Sequence, residues 1–241
     1  MFEKVLAKRI AIIAIAITVA AALKYHYSTA TANGLRWVLA PTATLVDLLS
    51  SNSFRFESYA GYLSDDHSYL IAASCSGMNF LIIAFVMLVA VGLLADYWKW
   101  RLIPFAFGAS YIATIIANTV RITTDLSTRE LAANYYGLSA ENIHRVEGIV
   151  IYFGFLIVLF FLGEIFFRRC RFDEIIRRLP LPLAIYYATA FVIPLVNGAW
   201  DDPAFWTHSI FVLTVPFVIV LLIVLLGPGR TSDRQIFFRR R

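Results

Sequence analysis

The sequence predicts an all-α fold: a polytopic transmembrane helix bundle of about six spans, with an interfacial or re-entrant helix near 36–50. Three observations carry this. The 241 residues are 60% hydrophobic, with a mean hydropathy of +0.72; a soluble domain is about half apolar and would show the surplus as aggregating patches. Several apolar runs approach the roughly 20 residues needed to cross a hydrocarbon core of about 30 Å. The basic residues cluster beside these runs, as membrane topology requires. The net charge of +5 is therefore read as topology. Nucleic-acid binding is excluded, because no soluble element offers a basic face.

The first run, Ile10 to Leu23, follows Lys4, Lys8 and Arg9. It is short for a span, but Arg9 and Lys24 can snorkel and lengthen it. A cleaved signal peptide with "STATA" as its small-residue site is the rival reading. An uncleaved anchor is preferred, because the rest of the chain is membrane-embedded in any case. The segment 36–50 contains Pro41 and Asp47, which leave no apolar stretch long enough to cross. Runs at 77–95, 102–120, 148–167, 181–200 and 209–227 supply the remaining spans. Glu164 lies near the end of its run and is expected to reach the interface. Pro194 and Pro216 are expected to kink their helices.

Six spans place both termini on one side. That side then holds Lys4, Lys8, Arg9, Lys99, Arg101, Arg168, Arg169, Arg171, Arg177, Arg178, Arg230, Arg234, Arg239, Arg240 and Arg241, fifteen of the 21 Lys and Arg residues. The opposite side keeps Lys24, Arg36, Arg55, Arg121, Arg129 and Arg145. The excess of positive charge marks the cytoplasmic side. The chain is thus expected to be a multi-pass protein of the cytoplasmic (inner) membrane, with both termini cytoplasmic. It forms a single integral membrane domain over 1–241.

This topology puts Cys75 outside the start of the second span, Arg121 at the outer end of the third and His144 before the outer start of the fourth. The short connection 96–101 makes the second and third spans neighbours, and Cys75 and Arg121 lie about 20 residues to either side of it, at the same level. A thiol, a guanidinium and an imidazole therefore meet at one extracytoplasmic lip. A thiol attacks only as thiolate, and its free pKa is near 8.5. A helix N-terminus and Arg121 would lower it; His144 could take its proton and return it to a leaving amine. Arg121 could also hold an oxyanion. Asn118, one turn before Arg121, could orient it or bind substrate backbone. Ser74, Ser76, Gly77 and Gly148 are the remaining candidates for substrate binding or support.

Each residue also has a plainer reading. A cysteine near a helix end is ordinarily a small packing residue, an interfacial arginine a lipid anchor, and a loop histidine solvated or paired with a carboxylate such as Glu147. Their conjunction on one lip favours chemistry. Cys75 outside and Cys170 inside cannot pair, which leaves Cys75 a free thiol; for Cys170, packing or palmitoylation suffices. "DDHS" (65–68) and "DDPAFWTH" (201–208) combine carboxylates with histidine, but neither has the spacing of a zinc site. Loop turns, helix caps and pairing with Arg55, Arg129 or Arg145 account for them. No metal and no cofactor are expected.

Three segments carry a resemblance. "SCSGMNF" (74–80) resembles the cysteine motif of the exosortase/archaeosortase family, "NTVRI" (118–122) its N-x-x-R motif, and "HRVEGIVIYF" (144–153) its H-x-x-x-G motif. They occur in the family's order and cover roughly 40–165; the two-span extension at 181–227 lies outside the resemblance. The short chain resembles the compact exosortase K group. The resemblance implies a membrane cysteine protease/transpeptidase analogous to sortase. Such an enzyme cleaves a C-terminal sorting signal (a motif, a transmembrane helix and a basic tail) from exported proteins and transfers them to a cell-surface acceptor. Its implied partners are those substrate proteins and the bilayer. Cys75 is the implied nucleophile, with Arg121 and His144 as its catalytic partners. Two alternatives stand beside it. An intramembrane protease would let water rather than an amine resolve the thioester. A small transporter or membrane scaffold would use no covalent chemistry, but transporters place ionisable residues near the midplane, and these spans carry almost none there.

Overall fold

The structure, a computed structural model, describes residues 2–50, 52–97, 99–132, 140–169 and 171–227. Among these residues, 6 helices are long and apolar enough to cross a membrane: Leu6–Thr29, Ala73–Leu94, Leu102–Thr128, Ile143–Arg168, Phe172–Val196 and Pro203–Leu226. The chain is a multi-pass membrane protein built as a helix bundle.

Helix α1 (Phe2–Thr29) extends well beyond the apolar run at its centre. Two of its basic residues find partners on α3 (Met78–Leu94) or just beyond it, which lets them stay helical. Arg9 donates to Asp96 Oδ1 at 3.1 Å and Lys24 to Asn79 Oδ1 at 3.2 Å. The two bonds lie at opposite ends, so α1 runs antiparallel to α3. Ile12 and Ala16 face that contact, while Ile10, Ile13 and Ile17 are exposed where lipid would lie.

Helix α2 (Arg36–Leu49) has 14 residues, about 21 Å at 1.5 Å per residue, too short to cross a bilayer core. It lies against α4 (Leu102–Ala132) on a face of Val38, Leu39, Thr42, Ala43 and Val46. Pro41 has no N–H to offer the Trp37 carbonyl one turn earlier. The Tyr111 hydroxyl on α4 takes that place, donating to Trp37 O at 2.7 Å, and the two rings stack at 5.6 Å. The proline thus creates the acceptor that docks the helix.

The all-α expectation holds for the spans, but the segment after α2 forms a small antiparallel sheet that the sequence reading did not anticipate. Strands β1 (Phe54–Glu57), β2 (Gly61–Ser64) and β3 (Leu70–Ile71) pair in that order. Gly61 has φ +126°, and a Cβ there would stand 2.3 Å from the Ile71 carbonyl oxygen; only glycine allows β3 to close on β2. The acidic residues of "DDHS" build this hairpin. Asp65 pairs with Arg55 at 2.9 Å. Asp66 accepts from the Ser68 amide and hydroxyl, and hydrogen bonds from Ser64 and Ser68 hold its carboxyl down at about 2.

Helices α3, α4 and α5 (Ala140–Arg168) pack on one another as the centre of the bundle. Helix α3 is buried on nearly every side, with Phe80, Leu81, Phe85, Met87 and Val91 in the core; its uniformly apolar sequence suits a helix without a lipid face. After α6 (Phe172–Ile176), α7 (Pro180–Tyr187), a π-helical turn at 188–192 and α8 (Ile193–Val196) form one winding span. Pro194 opens α8 directly after that turn, so the expected irregularity sits N-terminal to the proline. Helix α9 (Pro203–Leu226) packs on α5 and α7. Asp202 caps it, accepting from the Ala204 amide at 2.8 Å. Pro216 is buried within α9, and the Tyr187 hydroxyl donates to the nearby Leu213 carbonyl at 2.5 Å.

Glu164 corrects an expectation. Its side chain is packed inside the protein: it is fully buried, with Arg178 Nη1 at 2.9 Å and Arg168 Nε at 3.5 Å from its Oε2. Burying a carboxylate is costly unless it is paired, and the turn between α6 and α7 brings Arg178 to it. Arg178→Gln should lower the thermal midpoint in detergent by the equivalent of up to about 3 kcal/mol, because it strips a partner from a buried charge. Arg9→Gln removes an exposed ion pair and should cost under about 1 kcal/mol. Equal midpoints for the two variants would contradict this assignment.

Candidate active site

Cys75 ends a 3₁₀ turn, Ala73–Cys75, that runs from β3 into α3. Its amide donates to Ala72 O at 2.9 Å. The chain enters α3 through Gly77, which has φ +72° and faces Thr114 and Asn118 of α4; a Cβ would meet Thr114 Cγ2 at 3.1 Å. A left-handed residue this close to a neighbouring helix is most readily glycine. Gly77 therefore sets how near the cysteine turn comes to α4.

The α4 face opposite carries Asn118 and Arg121 on adjacent turns. Asn118 is fully buried. Its Nδ2 donates to the Cys75 carbonyl at 2.6 Å, and its Oδ1 accepts from the Tyr152 hydroxyl of α5 at 2.8 Å. One amide thereby ties the Cys75 backbone to both neighbouring helices. The Arg121 guanidinium lies 5.6 Å from the Tyr152 ring centroid and near enough to Cys75 for the two groups to interact electrostatically. Gly148 is an ordinary neighbour of the arginine: a Cβ there would lie 3.8 Å from Arg121 Cδ.

His144, in the first turns of α5, places Nδ1 2.8 Å from Asp125 Oδ1. Tyr69, just before β3, donates to Asp125 Oδ2 at 2.8 Å. Burial, and then the Asp125 carboxylate, push the Tyr69 hydroxyl up, so it is a neutral donor throughout the physiological range. The histidine's carboxylate partner is Asp125 rather than the Glu147 suggested by proximity in sequence; Glu147 instead accepts from Thr128 at 3.3 Å.

These groups surround a cavity of about 310 Å³. Ser74, Gly77, Arg121, His144 and Gly148 are in its wall, which continues along apolar Phe80, Ile83 and Ile149 to Tyr186 of α7 and His208 of α9. Cys75 is half-buried and is not itself a lining residue, although Ser74 and Gly77 to either side of it in the sequence are. Asn118 stands behind it as a support. Ser76 departs from the sequence reading: it is fully buried and its hydroxyl has no partner among the described residues, so it is a packing residue and not a substrate contact. Cys75 is an unpaired thiol; Cys170 lies outside the described residues.

The sequence reading missed Asp125, Tyr69, Tyr152 and His208. Asp125 had a signal, since it follows Arg121 by four residues and so shares its helical face. Tyr152 likewise follows Gly148 by one turn. Tyr69 and His208 had none, because the hairpin and the packing of α9 bring them in.

Chemically, the arrangement offers a thiol beside a permanent cation and a histidine whose Nδ1 is engaged by a carboxylate, leaving Nε2 for proton exchange. Comparisons with protein-family models, with curated proteins and with solved structures find no match for this chain.

Asn118→Leu would leave the Cys75 carbonyl and the Tyr152 hydroxyl without their shared partner. Each unsatisfied buried group costs about 1–3 kcal/mol. The variant should melt lower in detergent than Tyr152→Phe, which orphans only Asn118 Oδ1. The reverse order would contradict the proposed role of Asn118 as the tie.

Proposed function

We propose that the protein is a membrane-embedded cysteine protease/transpeptidase that cleaves C-terminal sorting signals of exported proteins and transfers them to a cell-surface acceptor. The observation that carries this reading is the placement of Arg121 and His144 in the wall of one cavity, together with Ser74 and Gly77, the lining residues that flank Cys75 in the sequence. The three motif resemblances support it.

In this mechanism His144 takes the Cys75 thiol proton, and the resulting thiolate attacks the carbonyl carbon of a peptide bond just outside the substrate's transmembrane helix. The new C–S bond forms as the carbonyl oxygen becomes an oxyanion, which the Arg121 guanidinium can receive. Collapse breaks the C–N bond, and His144 delivers its proton to the departing amine. The released segment keeps its helix and basic tail; the exported portion remains as a thioester on Cys75. An acceptor amine then attacks the thioester, His144 takes the amine proton, and the Cys75 thiolate leaves. Water in place of the amine gives hydrolysis.

The basic residues set the orientation we assign: an inner-membrane protein with cytoplasmic termini and an extracytoplasmic site. A membrane-impermeant maleimide applied to spheroplasts should label Cys75 and spare Cys170. Labelling of Cys170 in preference would reverse the topology.

Processing of a co-expressed substrate bearing a sorting signal, read as a mobility shift, tests the chemistry. Cys75→Ala should abolish processing at an undiminished membrane level. Cys75→Ser should be nearly as inactive, because a neighbouring cation cannot ionise a hydroxyl. His144→Ala should lose roughly 10²–10⁴-fold. Arg121→Lys should also fail, since an ammonium lacks the planar fork. Full processing by Cys75→Ala would remove covalent catalysis at this residue and restore a transporter or scaffold role.

A further inference from the structure

We infer that Asp125 and Tyr69 are positioning residues for His144, locking the histidine to the same helical ruler that holds the nucleophile. The inference rests on the cysteine-peptidase reading above and adds two residues that lie outside its three motifs.

Both oxygens of the Asp125 carboxylate are engaged, Oδ1 by His144 Nδ1 and Oδ2 by the Tyr69 hydroxyl, each at 2.8 Å. A purely structural role would be a clamp joining α4, α5 and the hairpin. Two features point further. The Asp125 side chain is 10% exposed, whereas that of His144 is 42% exposed and belongs to the cavity wall. The fixed end of the pair is buried and the working end is open, which suits an orienter and its base. The second feature is register. Asn118, Arg121 and Asp125 follow one another on the same face of α4. Asn118 holds the Cys75 backbone, Arg121 lines the cavity beside His144, and Asp125 holds the histidine.

The short segment from Tyr69 to Cys75 is consequently tied to α4 at both ends, by Tyr69 to Asp125 and by Cys75 to Asn118. Nucleophile and base are placed against one rigid element, although they come from different parts of the chain. The carboxylate accepts a hydrogen bond from the Nδ1–H and so favours the tautomer in which Nε2 is unprotonated. That nitrogen can take the thiol or amine proton, and the carboxylate then stabilises the imidazolium. Tyr69 fills the second oxygen and fixes the carboxylate plane.

The test uses the full-length protein in a Cys170→Ser background, so that Cys75 is the remaining one of 2 cysteines. The readouts are the alkylation rate of Cys75 by a small maleimide and the kcat and KM for processing. Asp125→Asn should slow alkylation by about tenfold or more and lower kcat by roughly 10²-fold or more, with KM little changed. Asp125→Glu should recover part of the loss. In a His144→Ala background, Asp125→Asn should slow alkylation by less than about twofold, because the residue acts through the histidine. Tyr69→Phe, which deletes only a hydroxyl, should show a smaller loss with the same dependence on His144 and keeps the test available if Asp125→Asn does not reach the membrane. Parental rates in Asp125→Asn, or in Tyr69→Phe where it stands in, overturn the inference. So does a loss as large without His144 as with it, which would mark a packing defect. Full processing by Cys75→Ala would instead remove the reading on which it rests.

Discussion

The hydrogen bond from Asn118 to the Cys75 carbonyl is the constraint on which the rest of the site depends. It fixes a non-helical turn against a helix, and a turn has no hydrogen-bond ladder of its own to hold it. Gly77 permits the approach by adopting a left-handed conformation directly against Thr114 and Asn118. Tyr152 saturates the other end of the amide, so Asn118 cannot rotate without losing two bonds in a buried setting. Once the turn is fixed, Cys75 is held against the helix that carries Arg121.

Polar groups are distributed along the bundle by the same economy. The middle of α3, α4 and α5 is packed with Phe85, Phe153, Phe160, Leu88 and Ala117. At the Cys75 end, Asn118, Arg121, Asp125, His144, Tyr69 and Tyr152 share partners. At the opposite end, Glu164 is buried between Arg168 and Arg178. The two clusters differ in kind. The Glu164 cluster matches one carboxylate to cations that are themselves largely buried or held by the α6–α7 turn, which suits a clamp. The other leaves Arg121 and His144 in the wall of an open cavity, which is the setting the proposed chemistry requires.

The spans were legible in the sequence because burial in lipid imposes length and apolarity, and both are written residue by residue. Their ends were less so. Helix α1 continues past Arg9 and Lys24, since ion and hydrogen-bond partners on a neighbouring helix let charged residues remain helical. The hairpin at 54–71 escaped notice because its strands have 4, 4 and 2 residues, too few for an alternating pattern to stand out. Cys75 and Arg121 could be brought to one level by counting helical rise from a short connection, and His144 to the same side by the order of the spans. Asp125 was within reach of the same counting, as the next step along the face of Asn118 and Arg121. Ser76 was misassigned because its neighbour is reactive in character, while a 3₁₀ turn points successive side chains in different directions.

The wall of the cavity bears on how the chain divides. The motifs that resemble an exosortase end before α6, which would make 181–227 an appendage. Yet Tyr186 and Ala190 of the α7 span and His208 of α9 line the same cavity as Arg121 and His144, and α9 packs along α5, the helix that carries His144. An appendage would leave the site whole when removed; here its removal would open the apolar side of the cavity to lipid and take a packed neighbour from α5. The last two spans are therefore part of the site's enclosure. Their contribution follows from where they pack and not from any motif they contain. A wall needs only bulk and apolar surface at the right depth, and many sequences supply those, whereas a nucleophile, a cation and a base must each be one particular side chain.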